Sequence, residues 1–247
     1  MERWQDRVAV VTGASSGIGA AVAKDLVRAG LVVVGLARRV ERIDALKEEL
    51  PEELQSRLHA IKCDVGVESS VAAAFDWIEA QLGGIDIIIN NAGLLHSGQV
   101  LTLELEKLQH VMQVNLMGVV QCTQRAFRSM QQRNVAGHVV LINSLTGHQV
   151  ISPPAGELQA LNMYPISKYG ITALLEVLRQ ELNGFKTQIK VTSISPGITD
   201  TEILPPDFKT LPLLQPEDIS AGILYALGTP PHVQVHELTI KPIGELF

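Results

Sequence analysis

Two titratable side chains stand one helical turn apart in the stretch NMYPISKYG, residues 162–170. Tyr164 and Lys168 are four positions apart, and the apolar residues after them recur with a helical period. A helix that begins here places the phenol and the ammonium on one face. A nearby ammonium favours the phenolate and lowers the phenol pKa from about 10, so the pair is predicted to act as general acid and base. The alternative is an ordinary amphipathic helix start, with Pro165 in its first turn.

A glycine-rich turn, TGASSGIG at residues 12–19, lies between a strand pattern and a helical pattern. Its glycines let the backbone turn tightly, and the free N–H groups of the helix start favour an anion such as a pyrophosphate. The spacing G-x-x-x-G-x-G differs from the G-x-G-x-x-G dinucleotide fingerprint. The alternative is a turn used only for close packing of the helix on the sheet. The residues predicted to bind the cofactor here are Gly13, Ser15, Ser16, Gly17, Ile18 and Gly19.

The end of the second strand pattern carries the residues that choose between NAD and NADP. Enzymes that use NAD usually place an Asp or Glu there, which bonds the ribose 2′-hydroxyl. This chain has Ala37 followed by Arg38 and Arg39. Two guanidinium groups suit a 2′-phosphate, so the sequence predicts NADP in preference to NAD. The alternative is that both arginines simply start a solvated helix.

Apolar, β-branched runs alternate with helical patterns along the whole chain, which predicts a parallel sheet covered on both faces. The predicted fold class is α/β: a Rossmann-type doubly wound, seven-stranded, mostly parallel sheet in a single dinucleotide-binding and catalytic domain, residues 1–247. The predicted strands cover 7–13, 31–37, 58–65, 85–93, 138–144, 189–197 and 233–240. The predicted helices cover 17–30, 42–56 with a break near Pro51, 67–82, 104–133 as two helices with a kink near 115–118, 164–183 and 216–228.

The composition excludes several classes of function. Lys and Arg total 20 against 26 for Asp and Glu, a formal charge of −6, which argues against a nucleic-acid partner. Cys63 and Cys122 have no CxxC or Cys/His spacing, so reduced thiols in a cytoplasmic protein are expected. The N-terminus has no signal-peptide pattern, and the longest apolar runs are too short for a membrane span. The histidines predict no metal site, because His232 and His236 flank a strand pattern.

Seven motifs in a fixed order resemble those of the short-chain dehydrogenase/reductase family. They are the glycine turn, CDV at 63–65, NNAG at 90–93, Asn115 in VNLMG, Ser144 in INSLTG, the Tyr164/Lys168 pair, and SPGITDT at 195–201. The resemblance covers essentially the whole chain. Within the family, the segment 163–183 and the ending ELTIKP are most similar to the insect farnesol dehydrogenase and ketosteroid-reductase-like group.

The resemblance implies roles for the matching positions. Ser144 would bond the substrate oxygen, and Asn115 would hold a water near Lys168; the alternatives are a strand-end cap and a polar helix break. The implied catalytic residues are Asn115, Ser144, Tyr164 and Lys168. The further cofactor-binding residues are Asp64 and Val65 at the adenine, Asn91, Ala92 and Gly93 along the groove, and Pro196, Gly197, Ile198 and Thr201 at the nicotinamide, with Tyr164 and Lys168.

The spacing between two implied catalytic residues departs from the family pattern. Ser144 and Tyr164 are twenty positions apart, whereas family members commonly keep them closer, and the extra residues fall in the loop 145–161. An apolar pocket with few polar groups suits a lipophilic alcohol or carbonyl; the alternative is that the loop packs on its own domain. The apolar residues expected at this pocket are Leu94, Leu95, Val150, Ile151, Pro153, Pro154, Leu158, Leu161, Met163, Ile203 and Leu204.

The resemblance therefore implies an NADP-dependent oxidoreductase that interconverts a lipophilic alcohol and its carbonyl. Isoprenoids such as farnesol, retinoids and steroids all fit. The apolar helices at 105–130 and 165–182 predict a homodimer or homotetramer. One alternative is a non-catalytic protein that binds the cofactor and a lipophilic ligand. Another is a cofactor-dependent epimerase or dehydratase, against which the short C-terminal region argues.

Overall fold

A seven-stranded parallel sheet forms the centre of the molecule. The computed structural model of the chain describes residues 1–152 and 158–245, with the backbone alone for Asp207, and within them the strand order is β3-β2-β1-β4-β5-β6-β7. The strands are β1 (Val8–Thr12), β2 (Val32–Ala37), β3 (Leu58–Lys62), β4 (Ile87–Asn90), β5 (His138–Ile142), β6 (Lys190–Pro196) and β7 (Glu237–Ile240). Every pairing in the sheet is parallel, which confirms the predicted fold class.

The helices connect successive strands. They are α1 (Gly17–Arg28), α2 (Val40–Leu46), α3 (Glu52–Gln55), α4 (Glu68–Leu82), α5 (Leu105–Met112), α6 (Gly118–Gln132), α7 (Met163–Gly184) and α8 (Pro216–Gly228). A π-helical turn, Gln113–Met117, separates α5 from α6 at the kink predicted from the sequence. Among the described residues, no helix combines the length and the apolar character that a bilayer crossing requires.

Several elements are shorter than the sequence predicts, among them β3, which ends at Lys62 rather than 65, and β4, which covers Ile87–Asn90 rather than 85–93. The helix expected over 42–56 ends at Leu46, and a 3₁₀ turn (Lys47–Glu49) and Pro51 separate it from α3. Proline cannot continue a helix, because it lacks the N–H and its ring clashes with the preceding turn. The last strand begins at Glu237 rather than 233, because only Glu237–Ile240 lie in register beside β6.

Alternate residues of each central strand face opposite sides of the sheet and build two cores. Ala9 and Val11 of β1 pack with α1, α2 and α8 in the first core. Val10 of β1 and Ile88 of β4 pack with α4, α6 and α7 in the second. Both faces are covered, which explains why the strands are continuous apolar runs without polar alternation.

The parallel arrangement brings the carboxyl ends of the strands to one edge. The chain leaves β1 toward β2 on one side and later returns to β4 on the other, so the strand order reverses between β1 and β4. Such a reversal opens a crevice between the loops that follow the two strands, where α/β proteins bind ligands. The motifs that follow β1, β2, β4 and β5 therefore meet at one crevice.

The packing of the second core can be tested at Phe75 of α4, whose side chain is 1% exposed. Replacing it with Ala removes buried surface and leaves a cavity, so Phe75→Ala should lower the free energy of unfolding by about 3–5 kcal/mol in a denaturant titration. Leu101→Ala is the control, since Leu101 is 95% exposed and should change that value by less than about 0.5 kcal/mol. Equal, small effects of both changes would contradict the described core.

Candidate active site

A cavity of about 310 Å³ opens at the carboxyl edge of the sheet. It extends from the glycine turn to the segment after β6 and brings nearly all predicted site residues together. The predicted residues that line it are Gly13, Ser15, Ser16, Gly17, Ile18, Arg38, Arg39, Asp64, Val65, Asn91, Ala92, Gly93, Ser144, Tyr164, Lys168, Pro196, Gly197, Ile198 and Thr201. Gly19 and Asn115 lie outside its wall and support it.

The glycine turn shows two different uses of glycine. A Cβ at Gly19 would lie 2.4 Å from the Gly13 carbonyl oxygen, and one at Gly13 would lie 2.9 Å from the Ala92 Cα. These two glycines therefore allow the turn to pack on itself and on the β4 end. Gly17 has φ of +54°, which favours glycine, and it starts α1 beside the cavity.

The start of α1 offers hydrogen-bond donors to an anion. Ser16 occupies the N-cap position, and within the described part of the chain its side chain makes no capping hydrogen bond. The first backbone N–H groups of a helix have no intrahelical partner, and the helix dipole favours negative charge there. The turn therefore fits a dinucleotide pyrophosphate.

Asn91 joins the glycine turn to the end of β4. Its side-chain amide donates to the carbonyl oxygens of Thr12 (2.9 Å) and Gly13 (3.2 Å). The Thr12 hydroxyl in turn accepts from the backbone N–H groups of Asn91 and Ala92, at 2.9 and 3.0 Å. These bonds set the width of the crevice between β1 and β4.

Arg39 lies after β2 and faces an acidic partner that the sequence analysis missed. Its Nη2 is 2.8 Å from Oε2 of Glu202, and Arg42 Nη1 is 2.5 Å from Oε1 of the same carboxylate. These hydrogen bonds hold the Glu202 pKa below its usual value. Arg38 is exposed and also lines the cavity. A cluster of guanidinium groups at this end fits a phosphate on the ribose.

Asp64 and Val65 border the cavity beyond β3. The Asp64 carboxylate accepts from the Gly66 backbone N–H at 2.9 Å, and the Asp64 N–H donates to the Ser70 hydroxyl at 3.0 Å. Cys63 is buried beside them, and burial raises the pKa of its thiol to about 11. The thiol therefore stays protonated at neutral pH.

Ser144 follows β5 and makes two kinds of contact. Its Oγ accepts from the backbone N–H of Thr146 at 3.1 Å and from the Thr146 hydroxyl at 2.9 Å, so it caps a 3₁₀ turn, Leu145–Gly147. A serine hydroxyl still has one hydrogen to donate, and the Ser144 hydroxyl lowers the pKa of Tyr164. Ser144 can therefore cap the 3₁₀ turn and also act on the phenol of Tyr164.

Tyr164 lies in the first turn of α7 and is half-buried. Asn162 starts this helix: its side chain accepts from the Met163 N–H at 2.6 Å and donates to the Gly98 carbonyl oxygen at 3.0 Å. Burial raises the pKa of Tyr164 above its ordinary value, although the hydrogen bond with Ser144 lowers it in part. The sequence predicts a lowered pKa. The structure differs because burial penalises the phenolate more than Ser144 favours it.

Lys168 lies one turn further along α7 and is 5% exposed. Its Nζ donates to the Ile142 carbonyl oxygen at 2.8 Å and is 5.6 Å from the centroid of the Tyr164 ring. Burial lowers the pKa of Lys168 to about 8. The ammonium is therefore held beside the phenol at the end of β5 and remains charged in most molecules at neutral pH.

Asn115 lies in the π-helical turn and is 1% exposed. Its Oδ1 accepts from the Leu94 N–H at 2.8 Å, and its Nδ2 donates to the Leu94 carbonyl oxygen at 2.9 Å and to the Ser167 hydroxyl at 3.2 Å. The side-chain amide thus ties the loop after β4 to α7, behind Lys168.

Apolar residues line part of the cavity that contains Tyr164. Of those expected from the sequence, Leu94, Leu95, Ile151, Leu161, Ile203 and Leu204 line it. Val150 and Leu158 are 59% and 73% exposed, Met163 is half-buried, and Pro153 and Pro154 lie outside the described residues. The sequence analysis missed Leu145, Pro205 and Phe208, which also line the cavity. The position of Pro205 and Phe208 in the segment after the SPG motif could have identified them as cavity-lining residues.

Three histidines, His96, His110 and His148, contact other side chains. His148 Nε2 is 2.8 Å from Glu237 Oε1 and 3.1 Å from the Ser195 hydroxyl, and His96 Nε2 is 3.1 Å from His110 Nδ1. Within residues 1–152 and 158–245, no group of three or more His, Cys, Asp or Glu side chains is placed to hold a metal ion.

The sheet, the glycine turn and the cavity define a Rossmann-type α/β protein. The sequence matches the family described as short chain dehydrogenase over residues 7–211. Farnesol dehydrogenase of Aedes aegypti is 54% identical over 100% of both chains. Dehydrogenase/reductase SDR family member 11 of Homo sapiens is 39% identical over 100% of this chain and 98% of its own. The chain belongs to the short chain dehydrogenase family and is an oxidoreductase of that family.

Solved structures agree with this assignment. An alcohol dehydrogenase from the archaeon Thermococcus sibiricus, complexed with 5-hydroxy-NADP, superimposes with a TM-score of 0.83 at 26% identity over 97% of each chain. The closed form of a serine dehydrogenase complexed with NADP⁺ gives a TM-score of 0.84 at 28% identity over 97% of this chain and 96% of its own.

The packing of the glycine turn leads to a binding prediction. Gly19→Ala brings a Cβ within 2.4 Å of a backbone oxygen, so the turn must shift, and dinucleotide affinity should fall by at least about tenfold, or roughly 1.4 kcal/mol. Calorimetric titration with NADP⁺ measures this. Gly184→Ala is the matched control, since a Cβ there meets no described atom within 4 Å. Unchanged affinity in Gly19→Ala would show that the turn does not hold the dinucleotide.

Proposed function

We propose that the protein is an NADP-dependent dehydrogenase or carbonyl reductase that interconverts a lipophilic alcohol and its carbonyl. The observation that carries this proposal is the placement of Ser144, Tyr164 and Lys168 on the wall of the cavity that begins at the glycine turn. A tyrosine beside a buried cation and a hydroxyl donor is the arrangement expected for proton transfer to or from a substrate oxygen.

Ser144, Tyr164 and Lys168 have different roles in the proposed reaction. Ser144 donates its hydroxyl hydrogen to the carbonyl oxygen and polarises it. Tyr164, with its raised pKa, is a neutral phenol at physiological pH and gives its proton to that oxygen during reduction. Lys168 stabilises the phenolate that remains. A bound nicotinamide supplies the hydride.

Asn115 contributes to proton supply through its position. Its side-chain amide is bonded to Leu94 and Ser167. In this proposal it therefore fixes the π-helical turn behind Lys168, where a water path to the ammonium would run. The Asn115 Oδ1 keeps a second lone pair, with which it would hold a water near Lys168.

The preference for NADP rests on the arginines after β2. Arg38 and Arg39 line the cavity, and Arg39 and Arg42 share the carboxylate of Glu202. Position 37, where NAD enzymes place an acid, is Ala. The remaining cofactor contacts we propose are those of the glycine turn, Asp64 and Val65, the NNAG strand end, and Pro196 to Thr201.

The substrate class rests on the apolar wall. Ile151, Leu161, Ile203, Leu204 and Phe208 line the same cavity as Tyr164, so a long hydrocarbon group gains free energy on entering it. The Aedes aegypti relative carries the name farnesol dehydrogenase, which supports an isoprenoid alcohol. Retinoids and steroids have similar polarity and belong to the same test panel.

An absorbance assay at the nicotinamide band tests the proposal. Purified protein is given NADP⁺ or NAD⁺ with farnesol, retinol, a steroid alcohol, and short polar alcohols. The proposal predicts turnover with NADP⁺ and a lipophilic alcohol. A non-catalytic binding protein would bind the same ligands without turnover; the intact Ser144, Tyr164 and Lys168 set argues against it, because binding alone does not require a phenol and an ammonium at this position.

We further propose a cytoplasmic, single-domain protomer that forms a homodimer or homotetramer. The exposed face of α6 and α7 supports the oligomer, because Phe127 and Phe185 are in tilted contact there, with ring centroids 5.2 Å apart. Both line one groove with Val177, which is 50% exposed. Exposed apolar faces of this kind favour association. Sedimentation of the purified chain decides between monomer, dimer and tetramer.

The variant Tyr164→Phe tests whether Tyr164 is the general acid of the proposed reaction. The change removes the hydroxyl and keeps the ring, so carbonyl reduction should slow by about 10²–10⁴-fold in kcat, while the affinity for NADP⁺ stays within about threefold of wild type. Steady-state kinetics and calorimetry measure the two quantities. A variant with near wild-type kcat would remove Tyr164 from the acid–base role.

The pKa of Lys168 predicts a pH profile for reduction. Lys168 is charged below its pKa of about 8 and loses its proton above it, while Tyr164 remains a neutral acid because its pKa is raised. The kcat/KM for reduction should therefore be level at lower pH and fall as pH rises through about 8. In Lys168→Met the rate should be low and this inflection absent. An identical inflection in that variant would assign it to another group.

A further inference from the structure

The carboxylate of Glu202 is bonded by two arginines that the proposed cofactor would need. The segment after β6 carries Glu202 to the end of β2, where its two oxygens meet Arg39 and Arg42 at 2.8 and 2.5 Å. Glu202 is 52% exposed and each arginine 44%, so water reaches the cluster. An ion pair in such a position is weak and exchangeable.

The cluster lies beside the glycine turn. Arg39 Nη2 is also 3.4 Å from the Ser16 hydroxyl at the start of α1. One residue before Glu202, the Thr201 methyl would be 3.0 Å from a Cβ placed on Gly17. Thr201 therefore lies beside the start of α1, and the next residue, Glu202, reaches Arg39 and Arg42 where an adenosine ribose would meet the arginines.

A carboxylate and a phosphate monoester compete for the same donors. Both accept paired hydrogen bonds from guanidinium groups, and the phosphate carries more charge. Because Glu202 is ionised at neutral pH, a second anion placed beside it would be repelled. An unphosphorylated ribose brings no such charge.

We propose that Glu202 is a cofactor-selectivity residue: its carboxylate holds Arg39 and Arg42 where a 2′-phosphate would bind, and a 2′-phosphorylated dinucleotide must displace it. This proposal rests on the dinucleotide binding proposed above and concerns the same site. It assigns Glu202 as the group that weakens the binding of the phosphate.

The test uses two ligands that carry no nicotinamide, so no reaction occurs. ADP-ribose and 2′-phospho-ADP-ribose are titrated calorimetrically into wild type, Glu202→Gln and Asp76→Asn. Asp76 is the matched control: it is 70% exposed and pairs with Arg125 at 3.1 Å, away from the cavity. Thermal unfolding checks that each variant is folded.

Glu202→Gln should bind 2′-phospho-ADP-ribose about three- to tenfold more tightly than wild type. Its affinity for ADP-ribose, and both affinities of Asp76→Asn, should stay within about twofold of wild type. Unchanged or weaker binding of the phosphorylated ligand by folded Glu202→Gln would overturn the inference. So would an equal gain for both ligands, because Glu202 would then hinder the dinucleotide as a whole.

The wild-type protein reports separately on the proposed function. If it binds the two ligands equally, the NADP preference is wrong. A selective gain for the phosphorylated ligand in Glu202→Gln would even then support the displacement of Glu202.

Discussion

The hydrogen bond from Lys168 to the carbonyl oxygen of Ile142 holds a buried cation beside a half-buried phenol. A cation at 5% exposure is costly to bury unless a polar partner compensates it. The last carbonyl group of β5 provides that partner, and its position depends on the parallel sheet on both sides of β5. The start of α7, the π-helical turn and the loop after β4 all serve to hold this pair at the crevice.

Burial acts on both members of the pair in the same direction. It raises the pKa of Tyr164 and lowers that of Lys168, so each shift favours the neutral form. Because its pKa is raised, the Tyr164 phenol stays protonated at neutral pH and is ready to donate its proton. The ammonium, with a pKa of about 8, still carries charge where it is needed, at a value that makes its protonation sensitive to modest changes of environment.

Sequence patterns were sufficient for the sheet and for most of the cavity. Buried strands such as β1 and β4 are apolar on both faces, and motifs at strand ends meet automatically at one edge of a parallel sheet. The glycine turn, Ser144, Tyr164 and Lys168 therefore came together as predicted. The contact of Glu202 with Arg39 and Arg42 was not predictable, because it joins residues about 160 positions apart through a loop whose path no local pattern describes. The sign of the Tyr164 pKa shift also required the structure, since it depends on how much burial outweighs nearby polar groups.

The ionisation of Tyr164 tests the central claim most directly, because that claim places a charge beside the phenol. Near-ultraviolet absorbance of the phenolate, taken as the difference between wild type and Tyr164→Phe, gives the Tyr164 pKa with NADP⁺ bound. The same measurement is made with Lys168→Met as the parent protein. The account predicts a higher Tyr164 pKa when Lys168 is replaced. An equal pKa with and without the lysine would contradict it.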